Sequence, residues 1–365
     1  MADSPRRSGD GHSKTMSGRA HMLDAYFDEA AALFGAAVAR VGEGPVRRLA
    51  VAGHNAHLRF AGSALAARVL PALEHLTSDE AGGEGLTVML WDLKSTGVVL
   101  PPPPWDDLRY HERGNARAYS DARFSLSFER RTDVFSAVDN ERQMAVYWTR
   151  DASALPNFTM AAPMQRLLQG WLRTRGLFVL HAAAIGREDA GLLLAGRSGS
   201  GKSTTAMLAF ESHLLYAGDD YALVQSDPSP HVHALYNTAK LNVDALDRMP
   251  ALRPVVSNPS RLDTEKALLF LDTRASHPLT KGFPLRAIVL PRVTGEIGSE
   301  VRQASPLDAY QAIGPDSAFT MLGGDARGAL AMLKTLVHVL PCYHLGLGTD
   351  RGGVIAALDT VLNRG

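Results

Sequence analysis

The chain has 365 residues, enough to bury a large core and to form two domains or one domain with a large extension. Its 38 lysines and arginines equal its 38 aspartates and glutamates, so the balanced charge argues against a broad surface for nucleic acid or anionic membrane. Cys342 is the only cysteine, which excludes an intramolecular disulfide and a Cys/His zinc cluster and makes the cytoplasm the expected compartment. No apolar run approaches the ~20 residues that a membrane-spanning helix needs.

The first half of the chain mixes helical and strand patterns. Residues 1–22 are polar and rich in glycine and serine, which predicts a disordered lead. Apolar residues then recur at helical spacing over residues 23–40, in "SALAARVLPALEHL" and in "PMQRLLQGWLR". Strand patterns mark "RRLAVAGHNAHLRFAG", "GLTVMLWDL" and residues 124–148, while the prolines of "VVLPPPPWDD" indicate a loop. Residues 23–175 are therefore expected to form an α+β domain with an antiparallel sheet.

The hydrophobic pattern of the sequence changes from Leu177 onward. Strands are predicted in "LFVLHAAAIG", "AGLLLAG", "HLLYAGDDYALVQ", "VHALYNTAKLN" and "FPLRAIVLPRV". Helices are predicted directly after a glycine-rich loop, at residues 308–314 and at residues 324–340. Residues 176–365 are therefore expected to form an α/β domain built around that loop.

The glycine-rich loop matches the pattern G-x-x-x-x-G-K-[ST], with a strand before it and a helix after it. Such a loop turns its backbone amides toward phosphate oxygens, and the next helix aims its N-terminal amides at the same anion. Lys202 is expected to neutralise β- and γ-phosphate oxygens of ATP, and the Ser203 hydroxyl to ligate Mg²⁺. The predicted nucleotide-binding residues are Gly196, Arg197, Ser198, Gly199, Ser200, Gly201, Lys202, Ser203 and Thr204.

A phosphate loop by itself does not choose among kinases, GTPases and transporter ATPases. The chain lacks an N-K-x-D motif, which counts against a GTPase, and an L-S-G-G-Q segment, which counts against a transporter ATPase. Asp219 and Asp220 follow the loop in "LLYAGDDYALV", where carboxylates beside phosphates suit metal binding or general-base work. Asp220 is the candidate metal ligand beside Ser203, and Asp219 is the preferred base. A plain turn or cap is the alternative role for this pair.

The segment from Leu180 to Val224, "LHAAAIGREDAGLLLAGRSGSGKSTTAMLAFESHLLYAGDDYALV", resembles the catalytic core of the HPr kinase/phosphorylase family. The likeness extends, through "DVFSAVDN", "APMQRLLQGWL" and "FPLRAIVLPRV", to a divergent HPr-kinase-like branch that includes serine kinases of lasso-peptide gene clusters. The resemblance implies a kinase of a serine hydroxyl, with an aspartate of the pair as base, His181 close to it and Ser203 on Mg²⁺. A glycine precedes the aspartates and Lys-Ser-Thr replaces Lys-Ser-Glu, so neither phosphorylase activity nor the HPr substrate is carried over.

Phosphoryl transfer also needs positive charge beyond one lysine. Lys240 in "YNTAKLN" is the best candidate and is placed with the catalytic residues, because it lies at the end of an apolar strand. Lys266 and Arg292 are weaker candidates, and each lysine has the common alternative of a solvated surface cation. Arg130 and Arg131 are candidates for binding an acidic substrate, but the preferred interpretation is that they lie on a solvated strand face.

These patterns predict an ATP- and Mg²⁺-dependent kinase that phosphorylates a hydroxyl, with a serine of a peptide or protein as the preferred acceptor. A small-molecule kinase, for a sugar for example, and a nucleotide-binding regulatory module with little turnover are the alternatives. Intact Lys202, Ser203 and the aspartate pair favour an enzyme over the module. The sequence leaves open whether the chain forms a homo-oligomer.

Overall fold

The computed structural model describes residues 10–78, 83–102, 120–271, 279–320 and 326–364. Up to Leu172, the described chain contains helices α1 to α5 and strands β1 to β6. These are α1 Asp10–Val41, β1 Glu43–Val51, β2 His54–Ala61, α2 Ala66–Val69, β3 Leu86–Asp92, α3 Leu93–Thr96, β4 Phe124–Glu129, β5 Val134–Asp139, β6 Met144–Thr149, α4 Asn157–Ala161 and α5 Gln165–Leu172.

Strands β1 to β6 form one sheet in the order β1-β2-β3-β6-β5-β4. The outer pairs are antiparallel, but β3 runs parallel to both β2 and β6. The prediction of an antiparallel sheet is therefore wrong at the centre of this sheet, which is mixed. Alternation of apolar residues reveals which faces are buried but not strand direction, and the long connection through α2 makes a parallel crossover.

Helix α1 covers one face of this sheet. Phe27 stacks on Phe124, and Phe34 packs at a tilt against the fully buried Trp91. The helix begins at Asp10, so the prediction of a disordered lead over residues 1–22 is wrong for residues 10–22, while residues 1–9 lie outside the described chain. Packing of the apolar stripe nucleates the helix, and elongation toward the N-terminus then gains one hydrogen bond per residue.

The proline-rich loop prediction holds for residues 98–102, and its remainder lies outside the described residues.

From Phe178 onward the described chain forms a second, larger α/β assembly. Its elements are β7 Phe178–Leu180, β8 Ala183–Arg187, β9 Ala190–Leu194, α6 Lys202–Phe210, β10 Leu215–Gly218, β11 Ala222–Gln225, β12 His231–His233, β13 Thr238–Leu241, α7 Val243–Asp247, β14 Ala267–Phe270, β15 Gly282–Val293, β16 Glu300–Ala304, α8 Pro306–Thr320, α9 Ala326–Val339, β17 Cys342–Leu347 and α10 Arg351–Leu362.

Strand β15 organises the second sheet. It runs parallel to β9 on one side and to β17 on the other, and its first residues pair with β12. Helices α6 and α10 pack on one face together with the β13–β14 ribbon, and α8 and α9 pack on the other. Both sheets are mixed, so the molecule is a mixed α/β protein. The helices predicted at residues 308–314 and 324–340 correspond to α8 and α9, although residues 321–325 lie outside the described chain.

The predicted strand "HLLYAGDDYALVQ" is in fact two strands. β10 ends at Gly218 and pairs with β8, whereas β11 starts at Ala222 and pairs with β7 and β12. The three residues Asp219, Asp220 and Tyr221 join these strands where the pairing changes. "VHALYNTAKLN" divides in the same way into β12 and β13, which belong to different sheets. Continuous apolar runs hide such breaks, because the change of partner is a tertiary property.

The two sheets share a hydrophobic cluster that we call the seam core. It contains residues of the first sheet, of α2 and of α5, together with Leu177 just before β7 and buried side chains from the second assembly: Val179, Leu223, Leu235 and Tyr236. Residues 173–176, where the sequence predicts a boundary, form a short 3₁₀ turn ending at Gly176. Among the described helices, none is long and apolar enough to cross a membrane.

Candidate functional site

The glycine-rich loop connects the end of β9 to the first residue of α6. Gly199 and Gly201 have φ values of 82° and 103°, in the left-handed region that favours glycine. A Cβ on Gly201 would also lie 2.4 Å from Cδ1 of Leu347, so the loop packs directly against β17. The parallel pairing of β9 with β15 fixes where the loop begins, and the close approach at Gly201 fixes where α6 begins.

Lys202 is the first residue of α6 and is only 6% exposed. Its Nζ donates to the carbonyl oxygens of Gly196 at 2.5 Å and of Arg197 at 3.3 Å. The ammonium therefore lies inside the curve of the loop, beside the N-terminal amides of α6. A fixed cation next to helix N-terminal amides is suited to binding a polyanion.

Asp219 is 2% exposed and lies behind the loop. Its Oδ2 accepts the backbone N–H of Lys240 at 3.1 Å, and the Ser203 hydroxyl is a hydrogen-bonding neighbour of the same carboxyl. Its Oδ1 has no hydrogen-bond partner among the described residues. Burial and then the negative charge of Asp220 raise the pKa of Asp219 to about 7, although Lys240 and Ser203 act in the opposite direction.

Asp220 faces the open side of the same region and forms an ion pair with Lys240. Burial disfavours the charged form of Asp220, but the attraction of Lys240 outweighs it, and His181 adds to that effect, so the pKa is lowered. Asp220 in turn raises the pKa of Lys240 against the effect of burial. The pKa values of these neighbouring carboxyls therefore shift in opposite directions, that of Asp219 upward and that of Asp220 downward.

His181 follows β7, and its ring meets the ring of Tyr221 edge to face at 6.2 Å between centroids. Its backbone N–H donates to Oγ of Ser317 in α8 at 3.0 Å. His181 lines the same cavity as Asp220 and lowers the pKa of that carboxyl.

A cavity of about 450 Å³ joins these groups. The predicted residues that line it are His181, Ser198, Gly199, Gly201, Lys202, Ser203, Thr204, Asp220 and Lys240. Four predicted residues do not line it: Gly196 and Asp219 are buried, Arg197 is exposed, and Ser200 has a buried hydroxyl.

The cavity is also lined by residues that the sequence predicts only weakly or not at all. Lys266, a weaker candidate, lines the cavity, but Arg292 does not, since its neighbour Val293 takes that position. Arg248 and Tyr221 also line it and were missed. Tyr221 adjoins the aspartate pair and could have been suspected from that, whereas Arg248 carries no sequence signal because β13 and α7 bring it there.

Size does not single out this cavity. A second one of about 490 Å³ lies beside α2, with Leu70, Pro71 and Phe270 among its mainly apolar lining residues. The cavity at the glycine-rich loop brings Lys202 and Ser203 of that loop together with the Asp220–Lys240 ion pair, so its chemistry marks it as the candidate site.

The donor set fits Mg²⁺. This ion prefers oxygen ligands and usually takes one or two from protein, the rest coming from water and substrate phosphates. The Ser203 hydroxyl and the unpartnered Oδ1 of Asp219 supply two such oxygens next to the loop. No group of three or more histidine, cysteine, aspartate or glutamate side chains disposed around one metal position occurs within the described ranges.

No protein-family model matches this chain, and a search of curated proteins also finds no match.

Proposed function

We propose that this protein transfers the γ-phosphoryl group of ATP, with Mg²⁺, to a hydroxyl group, and that the preferred acceptor is a serine of a peptide or protein. The observation that carries the proposal is one cavity in which Lys202 and Ser203 of the glycine-rich loop face the Asp220–Lys240 pair. Phosphoryl transfer needs a held triphosphate, a positive environment and a group that orients the attacking hydroxyl. Each of these three needs has a residue in this cavity.

The loop and α6 bind the triphosphate. Backbone amides at the start of α6 and the Lys202 ammonium contact β- and γ-phosphate oxygens. Arg248 and Lys266 line the same cavity and add positive charge to it. Together with Lys240 they offset the charge that spreads over the transferring group.

Ser203 would hold Mg²⁺ directly, and Asp219, buried beside the Ser203 hydroxyl, would act on the ion through that hydroxyl or through water. When bound, the ion neutralises charge on the phosphates. A cation beside Asp219 also removes the penalty of ionising a buried carboxyl, because it favours the charged form that burial disfavours. This assignment exchanges the roles expected from the sequence, where Asp220 was the metal ligand and Asp219 the preferred base.

Asp220 acts as the base because it lines the cavity and Asp219 does not. Its carboxylate orients the acceptor hydroxyl and takes its proton as the hydroxyl oxygen bonds to the γ-phosphorus, while the bond from that phosphorus to the β,γ-bridging oxygen breaks and ADP leaves. Lys240 holds the carboxylate in place and ionised. A base of low pKa suffices, since the transition state of phosphoryl transfer is loose and depends mostly on position and charge. His181 lies beside the pair and adds positive charge when protonated.

Labelled ATP with an extract of the source cells, followed by separation of peptides from small molecules, tests this proposal. Label in peptides supports a serine kinase, label in small molecules supports the alternative kinase, and no label with intact ATP supports the regulatory module. We place the reaction in the cytoplasm, where ATP is abundant and the free thiol of Cys342 stays reduced.

Two variants test the mechanism. Asp220→Asn should bind Mg-ATP nearly normally and lose roughly a hundredfold or more in turnover, the scale of general-base loss. Asp219→Asn should instead raise the Mg²⁺ concentration that activity requires. Arg292→Ala removes an exposed cation outside the cavity and serves as the control. Wild-type turnover in Asp220→Asn would refute this mechanism.

A further inference from the structure

The cavity at the glycine-rich loop has two ends, which lie on opposite sides of β9. Strands β9, β10 and β15 run in the same direction, because β9 and β10 are each antiparallel to β8 and β15 is parallel to β9. Their carboxyl ends therefore meet at one edge of the sheet, where the strand order is β10-β8-β9-β15. Asp220 follows β10 and Val293 is the last residue of β15, so these two lining residues flank the loop that leaves β9.

This arrangement sets the direction of a bound nucleotide. The Asp220–Lys240 pair forms the end at which the acceptor hydroxyl is proposed to react, so the γ-phosphate points toward it. The loop amides and the N-terminus of α6 hold the phosphates between the two ends. The base therefore lies at the other end, beside Val293. Further polar residues of the cavity lie around α7 and suit sugar hydroxyls and phosphates; they are Asn242, Asp244 and Arg248.

Two apolar side chains at the Val293 end are open to solvent. Val293 is 61% exposed although it lines the cavity. Ile297 lies in the turn that follows β15 and is 78% exposed, the highest value among the large apolar residues that the structure describes. Single exposed apolar residues are common on protein surfaces, but this pair continues a cavity that is otherwise mainly polar and charged.

The turn of residues 294–299 is attached to the chain that follows β17. Thr294 donates from its backbone N–H and from its Oγ1 to the carbonyl oxygen of Leu347, at 3.2 and 2.9 Å. Three further hydrogen bonds join the turn to residues 348–350: the N–H of Gly348 donates to Oγ of Ser299, that of Thr349 to the carbonyl oxygen of Glu296, and that of Asp350 to the carbonyl oxygen of Ile297. The backbone that presents Ile297 to solvent is therefore fixed.

The surface of this turn has room for a planar group. A Cβ on Gly295 or on Gly298 would meet no atom within 4 Å, so the backbone on both sides of Ile297 borders open space. Val293 lies against the loop, since a Cβ on Gly201 would be 3.5 Å from its Cγ2. A nucleotide base has a flat π-face that an apolar surface can cover without reading the edges of the base.

We propose that Val293 and Ile297 form a subsite for the purine base of ATP, so that the turn of residues 294–299 is a determinant of nucleotide affinity. This inference rests on the ATP-dependent kinase activity proposed above. One face of the base lies against the two aliphatic side chains, and binding removes both from water. The phosphates remain in the loop, with the γ-phosphate at the Asp220 end.

Calorimetry with two probes tests the base subsite. The probes are Mg-ATP and Mg-ribose 5-triphosphate, which has the same sugar and phosphates but no base. Both are titrated into the wild type, into Val293→Thr, into Ile297→Thr and into the double variant. Threonine keeps the branched shape at Cβ but replaces a methyl group with a hydroxyl group, and both positions are exposed, so the fold should be retained. Val46→Thr is the matched control, because Val46 is a strand valine of the first sheet that is 49% exposed.

The wild type should bind Mg-ATP about tenfold or more tightly than Mg-ribose 5-triphosphate, the change expected when two aliphatic side chains are partly covered. The double variant should lose most of this preference through weaker binding of ATP, while its affinity for the probe without a base stays unchanged. Val46→Thr should bind both probes like the wild type. Equal affinity of the wild type for the two probes would overturn the base subsite. A preference that survives in the double variant would also overturn it and would move the base to the α7 side.

Phosphoryl transfer from the same two donors distinguishes failure of the base subsite from failure of the kinase. A base-dependent affinity that the double variant loses, without transfer to any acceptor in a cell extract, would keep the subsite and reject the kinase. Transfer without a preference for the donor that has a base would keep the kinase and reject the subsite. Binding of neither probe would reject the phosphate loop and therefore both proposals.

Discussion

Asp219→Asn should make this protein more stable at neutral pH while impairing its function. The carboxyl is almost fully buried, and its pKa rises from 3.8 to about 7 on folding. Below pH 3.8 both states hold the proton, and as pH rises further the unfolded chain releases it first, so stability falls until the pH passes the folded value. The total loss is about 4 kcal/mol, at about 1.36 kcal/mol for each pKa unit. A neutral amide avoids this loss.

Part of the gain is offset by the amide itself. The Asn oxygen can keep the hydrogen bond from the Lys240 N–H, but the amide NH₂ then takes the place of the unpartnered Oδ1. An unpaired buried donor costs about 1–3 kcal/mol, so a net stabilisation of about 2 kcal/mol is expected near pH 8. Toward pH 5, where Asp219 is mostly protonated, the two proteins should be about equally stable.

Urea denaturation of both proteins between about pH 5 and pH 8 measures this difference, and the comparison cancels the titration of groups common to both. Asp220→Asn is the matched control. It leaves the Lys240 ammonium without its ion-pair partner at a site that is 20% exposed, so a loss of about 1–3 kcal/mol is expected. An Asp219→Asn variant that is no more stable than wild type at pH 8, or a gap that does not widen with pH, would refute the reasoning.

Three further predictions concern the loop and one buried histidine. Lys202→Ala should weaken Mg-ATP binding by calorimetry at least a hundredfold, because the phosphates lose a fixed, buried counterion; unchanged affinity would contradict the phosphate loop. Gly201→Ala should lower the free energy of unfolding more than Gly199→Ala, by about 1–2 kcal/mol, because both force a left-handed backbone but only the first meets Leu347 at 2.4 Å. Both ring nitrogens of His75 lack partners among the described residues, and burial lowers its pKa from 6.5 to about 4, so stability is lost as pH falls through that interval. His75→Leu should therefore gain about 2 kcal/mol relative to wild type between pH 7 and pH 5 in denaturation curves; a pH-independent difference would contradict it.

Features that depend on neighbouring residues in the chain were predictable from the sequence. The glycine-rich loop between a strand and a helix is such a feature, and β9 and α6 lie where the patterns place them. The predicted strand "LFVLHAAAIG" is wrong as one strand, because it divides into β7 and β8, which pair with different strands. Lys240, which the sequence predicts as a catalytic residue at the end of an apolar strand, lines the cavity, and its catalytic role stays a prediction. The direction of β3 was missed, since burial patterns contain no information on parallel or antiparallel pairing.

Features that depend on tertiary pairing were not predictable. Asp219 and Asp220 are adjacent, yet one lies behind the loop and the other faces the cavity, because β10 and β11 pair with different strands. A continuous strand would also have placed them on opposite faces, but it would not have shown which one meets Ser203.

The seam core determines how this chain can be divided. Cutting the chain near Gly176 would expose Val179, Leu223, Leu235 and Tyr236 on the C-terminal piece. Exposing each buried aliphatic side chain to water lowers the free energy of unfolding by about 1.5–3 kcal/mol. A loss of several such contacts is comparable to the whole stability of an ordinary domain. The two parts are therefore not interchangeable modules. A chimera that joins another N-terminal part to the segment with the glycine-rich loop must bring a complementary apolar surface with it, and recombination between relatives would succeed only where both sides of the seam core are inherited together.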